Sequence, residues 1–152
     1  MAEYSSMPPP PPPGGGPSGP RAGFGERFAG WLIDSIIMGV VAFILYEILG
    51  AVGQALGLLL FFGYIVYFQG SSSGQTPGMK VMNIRVIDFA TGGPIDRGRA
   101  ALRGVGYLVS GFVCYLGYLW MLWDPEKQCW QDKIANTVVV PTSAYPVAAW
   151  PG

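Results

Sequence analysis

The chain contains no histidine and only two cysteines, Cys114 and Cys129, which lie fifteen positions apart. Zinc fingers, thiol redox motifs and catalysis by histidine therefore lack the residues on which they normally depend. The sequence also contains no nucleophile beside a recognisable base and no glycine-rich phosphate loop at a helix start. It therefore predicts a protein that is not an enzyme and that uses neither a metal ion nor a cofactor.

Charged residues are scarce: they make up 12% of the 152 residues, whereas 51% are hydrophobic. Soluble domains typically carry about 25% charged residues. The nine basic residues are balanced by nine acidic ones, so no global positive field is available to attract nucleic acid. This composition predicts an integral membrane protein whose partner is the lipid bilayer and which does not bind nucleic acid.

Three long apolar stretches, residues 28–49, 51–68 and 104–123, account for most of the hydrophobic content. A bilayer core about 30 Å thick is crossed by about 20 helical residues, so each stretch is long enough to span it. Gly50 and Gly53 separate the first two stretches by a very short connection, which predicts a helical hairpin. The predicted fold is therefore an all-α integral membrane protein with about three transmembrane helices.

The third stretch has two alternative interpretations, a continuous span or a re-entrant hairpin. Its glycines permit close helix packing and also a break near residues 111–117; they are Gly104, Gly106, Gly111 and Gly117. The basic residues between the second and third stretches are Lys80, Arg85, Arg97, Arg99 and Arg103, whereas the turn near Gly50 has none. This asymmetry predicts a cytoplasmic N-terminus and a cytoplasmic loop over residues 70–103. Arg103 and its neighbours would act there as flanking charges or as ligands of lipid headgroups.

The loop begins with turn chemistry, in which proline sets one backbone angle and glycine accepts positive φ. The residues of this motif are Gly74, Gln75, Thr76, Pro77 and Gly78. Residues 81–88 are rich in β-branched side chains and predict a strand, and residues 137–140 form a second such run. The two runs would give a small cytoplasmic β element. If they pair, both ends of the third apolar stretch lie on the cytoplasmic side.

The tails differ in composition from the middle of the chain. Residues 1–22 include a proline run at positions 8–13 followed by glycines, and residues 141–152 repeat the proline and small-residue character. Both predict disorder, with polyproline conformation in the first. The membrane domain is expected over residues 23–140.

Arg27 and Asp34 are seven residues apart, close to two helical turns, and should leave the same face of the first helix. An arginine near the membrane boundary extends toward water and away from Asp34, so we do not expect the two to pair. We expect Arg27 to contact an acidic residue of the surface elements, Asp132 or Asp124. Asp34 would be protonated, would bond to the hydroxyl of Tyr64 or Tyr107, or would bind a cation.

The order of these motifs resembles the RDD family of small bacterial integral membrane proteins. The resemblance covers residues 23–140 and includes the GQTPG turn and the DKIANTVVV segment at residues 132–140. The family is named for an arginine and two aspartates, which Arg27, Asp34 and Asp132 match, with Asp124 as the alternative to Asp132. The resemblance implies a multi-pass protein of the bacterial plasma membrane.

Two functions are compatible with the resemblance. Transport of unidentified ligands, including ion exchange for some members, has been suggested for the family, and Asp34 would then handle a proton or cation. A transporter of this size would need a homo-oligomer or a larger membrane protein partner, because three helices cannot enclose a pathway. Alternatively, the protein is a non-catalytic assembly or scaffold subunit whose Arg/Asp cluster is structural.

Overall fold

A computed structural model of the chain describes residues 20–113, 116–147 and 150. The predicted proline- and glycine-rich tail lies outside the described residues up to position 19. The end of that tail makes contacts, because Ala22 is buried and its N–H donates to the carbonyl of Val139 at 2.9 Å. Residues just before the predicted boundary at position 23 are therefore part of the fold.

The first two apolar stretches form the predicted hairpin. Helix α1 comprises Phe24–Leu49 and helix α2 comprises Ala51–Gln69, with Gly50 between them. Gly50 has φ of 62°, a region that favours glycine. A Cβ atom on Gly53 would lie 1.9 Å from the carbonyl oxygen of Leu45, so the close contact of the two helices requires glycine there.

Both hairpin helices are long and apolar enough to cross a membrane. Large apolar side chains on them are exposed, as Ile48 is at 72%, which suits a lipid environment. The buried residues of α1 are Arg27, Gly30, Asp34 and Met38, spaced by three or four positions. They therefore lie on one helix face, and that face is directed at the rest of the protein.

A small unit of short elements lies against this face. We call residues 70–96 and 124–147 the surface unit. Helix α3 comprises Pro77–Val81 and strand β1 comprises Ile84–Asp88. Strand β2, Thr137–Pro141, pairs with β1 in antiparallel register. The two predicted strand segments therefore do pair.

Apolar side chains cover both faces of this two-stranded sheet, which would not be stable alone. One face packs in a cluster of buried residues that consists of Ala22, Met79, Ile84, Val86, Ile95, Ala100 and Val139. The other face carries Ile87, Val138 and Val140, against which Phe89 and Tyr145 pack.

The third apolar stretch is not one straight helix. Helix α4, Arg97–Phe112, begins seven residues before the predicted start because Asp96 caps it, accepting a hydrogen bond from the Arg99 N–H at 2.8 Å. Helix α5, Leu116–Leu119, and a 3₁₀ turn, Trp120–Leu122, follow at an angle of 110° to α4. A continuous helix over residues 104–123 is therefore not present, whereas the predicted alternative, a break near residues 111–117, is; the bent pair is either a broken span or a re-entrant loop.

Glycines allow the chain to fold back after this bend. Helix α6, Trp130–Ala135, packs against α4. A Cβ on Gly106 would lie 2.5 Å from Cα of Gln131, and one on Gly117 would lie 2.5 Å from the ring of Trp130. Because these glycines leave room for α6, the segments before and after the third stretch come together.

The C-terminal segment, for which the sequence predicts disorder, makes several contacts in its described residues. Arg85 donates through Nη1 to the carbonyl of Pro146 at 2.9 Å. The Trp150 ring stacks on Phe68 with 5.6 Å between centroids, and its Nε1 donates to the carbonyl of Gln75 at 3.1 Å. The Arg85 guanidinium and the Trp150 ring, rather than secondary structure, hold the described residues of this segment in place.

Candidate functional site

Asp132 lies at the centre of a buried ionic cluster. Its Oδ2 atom is 2.8 Å from Nη1 of Arg27, and its Oδ1 accepts a hydrogen bond from Nη1 of Arg103. The backbone N–H of Cys129 donates to Oδ2 at 2.9 Å. We call Arg27, Arg103 and Asp132 the Asp132 cluster; the predicted contact of Arg27 with Asp132 is present in it.

The alternative partner, Asp124, lies elsewhere. Its Oδ2 is 2.6 Å from Nζ of Lys133, and its Oδ1 accepts from the N–H of Glu126 at 2.9 Å. These contacts stabilise the turn that precedes α6. Of the two aspartates considered for Arg27, the structure therefore places Asp132 against it.

Arg103 is a member of the cluster that sequence reasoning missed. It was expected to flank the membrane, yet its side chain is fully buried. Its Nε donates to Oε1 of Gln69 at 2.7 Å, and its Nη1 donates to Oγ1 of Thr137 at 2.5 Å. One guanidinium thus joins α2, α4 and β2. A pattern of charge along the chain gives no sign of this, because each partner comes from a distant segment.

The electrostatics of the cluster favour an ionised carboxylate. Burial by itself raises the pKa of Asp132. The charges of Arg27 and Arg103 and the Cys129 N–H lower it by a larger amount, so its pKa lies below the ordinary value. Burial raises the pKa of the Cys129 thiol to about 11. The thiol therefore stays protonated at neutral pH, where it is a poor nucleophile.

Asp34 is held by a second set of contacts. Its Oδ1 accepts hydrogen bonds from the Tyr64 hydroxyl at 2.6 Å and from the Gly78 N–H at 2.8 Å. Its Oδ2 accepts from the Thr76 hydroxyl at 2.5 Å. The predicted bond to Tyr64 is therefore present, and two residues of the GQTPG turn supply the other donors.

The GQTPG turn is shaped for this contact. A Cβ on Gly78 would lie 2.1 Å from the carbonyl oxygen of Gly30, so the turn and α1 touch backbone to backbone. Gly74 has φ of 63° and approaches the carbonyl of Val86. Pro77 occupies the first turn of α3, where its missing N–H costs nothing.

The remaining residue of the turn, Gln75, joins it to the sheet: its Nε2 donates to the carbonyl of Ile84 at 2.9 Å. Thr76 also caps α3, accepting a hydrogen bond from the Met79 N–H at 3.3 Å. The motif is thus used for turn geometry, helix capping and a contact with Asp34. Its connection to Asp34 was not predicted from the sequence.

Helix lengths explain why Arg27 and Asp34 have different partners. The two hairpin helices meet at Gly50, but α1 has 26 residues and α2 has 19. The first two turns of α1, which include Arg27, therefore extend beyond the end of α2 and reach the surface unit. Asp34 lies level with the last turns of α2, where Tyr64 is. The residues share a helix face and have separate partners.

Within residues 20–113, 116–147 and 150, no group of three or more cysteine, aspartate or glutamate side chains could hold a metal ion. The polar side chains of the site bind one another instead. Arg27, Asp34 and Arg103 also line one internal cavity, together with Gln69 and Tyr107.

Comparison with known proteins agrees with the resemblance carried by the motifs. The sequence profile of the RDD family matches residues 21–136. The "Proline-rich antigen homolog" of Mycobacterium tuberculosis is 31% identical over 96 residues, which are 59% of this chain and 40% of that protein. The "Proline-rich antigen" of Mycobacterium leprae is 40% identical over 80 residues, which are 53% of this chain and 30% of that protein.

A third relative is similar over more of its length. An uncharacterized protein of Haemophilus influenzae is 25% identical over 122 residues, 76% of either chain. The present chain matches less than half the length of the two mycobacterial relatives. No solved structure matches.

Proposed function

The chain belongs to the RDD family, and we propose that it is a non-catalytic membrane scaffold or assembly subunit whose Arg/Asp motif attaches the surface unit to a helical hairpin. The observation that carries this proposal is the Asp132 cluster. Arg27 from α1 and Arg103 from α4 meet on one fully buried carboxylate of α6. Removing one member of such a buried set leaves charge without compensation, so the set specifies one arrangement of its helices.

The contacts of Asp34 support the same function. A carboxylate that accepts three hydrogen bonds is already satisfied by the protein, whereas a proton- or cation-carrying group must exchange partners during turnover. The donors include Thr76 and Gly78 of the turn. Asp34 therefore attaches the turn to α1, as Arg27 attaches α6.

A flux measurement separates this function from transport. The purified protein is reconstituted into liposomes loaded with a proton- or sodium-sensitive dye, and flux is compared for the unchanged chain, Asp34→Asn and Glu47→Gln. Glu47 is exposed near the other end of α1 and provides the matched acid-to-amide control. We expect no flux above that of empty liposomes. Flux that Asp34→Asn abolishes and Glu47→Gln preserves, with both variants folded, would contradict the scaffold function.

Transport remains the second candidate because of one observation. Asp34 lines an internal cavity together with Arg27 and Arg103, so a carboxylate and two guanidinium groups surround the same space. Such a site could bind a charged ligand if a homo-oligomer or a larger membrane protein completed the pathway. Flux dependent on Asp34 is the result that this candidate requires.

We further propose that the N-terminus and the surface unit face the cytoplasm of the bacterial plasma membrane, and that the third stretch enters the membrane and returns. A straight helix over residues 104–123 would separate its ends by about 30 Å. Arg103 and Asp132, however, form an ion pair, and β1 pairs with β2 across the same stretch. The basic residues before α4 support the cytoplasmic side.

A reporter that is active on only one side of the membrane tests this topology when it is fused after Gly152. We expect the cytoplasmic reporter to be active and the external reporter to be silent. A matched fusion at the Gly50 turn should give the opposite pair of signals. An external signal at Gly152 would instead support three complete spans.

A further inference from the structure

Two buried donors beside the Asp132 cluster have no hydrogen-bond partner among the described residues: Arg103 Nη2 and Gln131 Nε2. Both side chains are fully buried, so bulk water does not reach them. An unpaired donor in such a place costs about 1–3 kcal/mol, and more when it is charged. A ligand that supplies acceptor oxygens would remove this cost.

No described protein group accepts a hydrogen bond from Nη2 of Arg103 here. The Asp132 cluster contains two guanidinium groups and one carboxylate. Asp34 adds a second carboxylate to the cavity wall, but its hydrogen bonds are to Tyr64, Thr76 and Gly78, and none is to Arg103. Nη2 therefore lacks an acceptor, which a phosphate oxygen would supply.

A route from the lipid leads to Arg103. The internal cavity beside Arg103 has a volume of about 30 Å³, room for roughly two oxygen atoms the size of water. It borders a groove of about 600 Å³, because Trp31, Phe61, Tyr107 and Tyr118 line both spaces.

The outer wall of this groove is apolar and exposed. Leu108 and Phe112 of α4 line it, and they are 53% and 94% exposed. Ser35 and Ser110 provide hydroxyl groups farther in. Such a groove suits a hydrocarbon chain attached to a polar group, and a small soluble anion would leave its apolar wall without a contact.

We propose that the groove binds a phospholipid, with an acyl chain along Leu108 and Phe112 and phosphate oxygens reaching Nη2 of Arg103. The lipid supplies acceptors to a donor that the protein leaves unpaired, and it covers exposed apolar surface between α1 and α4. This binding is independent of whether the protein transports a solute.

Native mass spectrometry of the purified protein tests the proposal, with dioleoylphosphatidylglycerol and dioleoylglycerol, which lacks the phosphate, titrated separately. We expect phosphatidylglycerol to bind at least about tenfold more tightly, since a hydrogen bond to a charged group contributes about that factor and only this lipid has a phosphate oxygen to accept it. Equal retention of the two lipids would overturn the proposal, and so would binding of neither.

A variant inside the groove and a control outside it test whether the lipid binds there. Gly111→Phe fills the groove, and Gly39→Phe is the matched control on α1 outside it; a Cβ at either position would have nothing within 4 Å. We expect Gly111→Phe to abolish the preference for phosphatidylglycerol and Gly39→Phe to keep it, with unchanged melting temperatures. Loss of the preference in both variants, or in neither, would contradict the assignment.

A third arm separates lipid from a soluble anion. Glycerol 3-phosphate carries the same phosphate chemistry without the acyl chains. We expect it neither to bind nor to displace phosphatidylglycerol at millimolar concentration. Displacement would mean that the site recognises a free phosphate ester, and the lipid proposal would be wrong.

Discussion

The end of the α1–α2 hairpin near Gly50 and the opposite end of the molecule are each stabilised by a different kind of contact. Around Gly50 the helices meet through small residues, with Gly53 against the Leu45 backbone and Gly57 against Ala42, and no described side chain of residues 40–60 takes part in an ion pair. At the other end, buried charges of the Asp132 cluster and the satisfied carboxylate of Asp34 hold α1 against the surface unit.

This difference follows from what each region can contact. In lipid, helices associate through close packing, since no hydrophobic force distinguishes a helix from the surrounding tails. The short elements of the surface unit leave backbone groups that no regular helix or sheet pairs, and side chains such as Gln75 and Thr76 bond to them. We therefore expect substitutions of buried polar residues to destabilise only the end that contains the Asp132 cluster. Substitutions that change side-chain size should destabilise either end.

The largest effect is expected for Asp132→Asn, which leaves Arg27 and Arg103 buried without a full counter-charge. We predict a loss of about 3–5 kcal/mol in the free energy of unfolding, measured by denaturation in detergent micelles. The same acid-to-amide change at the exposed Glu47 should cost less than about 0.5 kcal/mol. Equal effects of the two changes would remove the contrast between the two ends.

Gly78→Ala tests the backbone contact between the GQTPG turn and α1. The added methyl group would lie 2.1 Å from the carbonyl oxygen of Gly30, so the turn must move away from Asp34. We predict a destabilisation of about 1–3 kcal/mol. Gly39→Ala, on the same helix as Gly30 with nothing within 4 Å, should stabilise the protein by about 0.5–1 kcal/mol. Stabilisation by both changes would refute the contact.

Tyr64→Phe removes one donor of Asp34 and leaves the ring in place. We predict a cost of about 1–2 kcal/mol, because the Thr76 and Gly78 bonds remain. Tyr67→Phe is the matched control on the same helix, at a side chain that is 50% exposed, and its effect should be close to zero. If the two variants melt at the same temperature, Tyr64 does not stabilise Asp34.

The smallest effect is expected from mild acid. The pKa of Asp132 is below its ordinary value, so its contribution to stability is complete above the unfolded pKa and is lost only as pH falls through the folded one. The melting temperature of the protein should therefore stay nearly constant between pH 7 and about pH 5. A marked drop in melting temperature over that interval would mean that Asp132 gains its proton there, and that its pKa in the folded protein is not lowered.

Local sequence patterns predicted the elements better than their contacts. Apolar length and Gly50 were sufficient for the hairpin, and β-branched runs were sufficient for the two strands. Arg27 could be directed to the Asp132 region because an arginine at a helix boundary needs an acidic partner. Hydropathy averages carry no information on direction, so the 110° turn after α4 was predicted only as an alternative, from the glycines of residues 111–117.

The contacts that the sequence did not reveal are all between distant segments. Arg103 meets Asp132 because Gly106 allows α6 to approach α4. Asp34 meets Thr76 and Gly78 because Gly78 allows the turn to touch α1 at Gly30. In each case a glycine marks the close approach, but its partner could not be identified without the fold.

The central claim is that Arg27 and Asp132 stabilise the protein through each other. A double-mutant cycle measures this directly, with unfolding free energies in detergent for Arg27→Gln, Asp132→Asn and the double variant. We predict that the double variant is less destabilised than the sum of the single variants by about 0.5–3 kcal/mol. Additive effects, within about 0.3–0.5 kcal/mol, would contradict the claim.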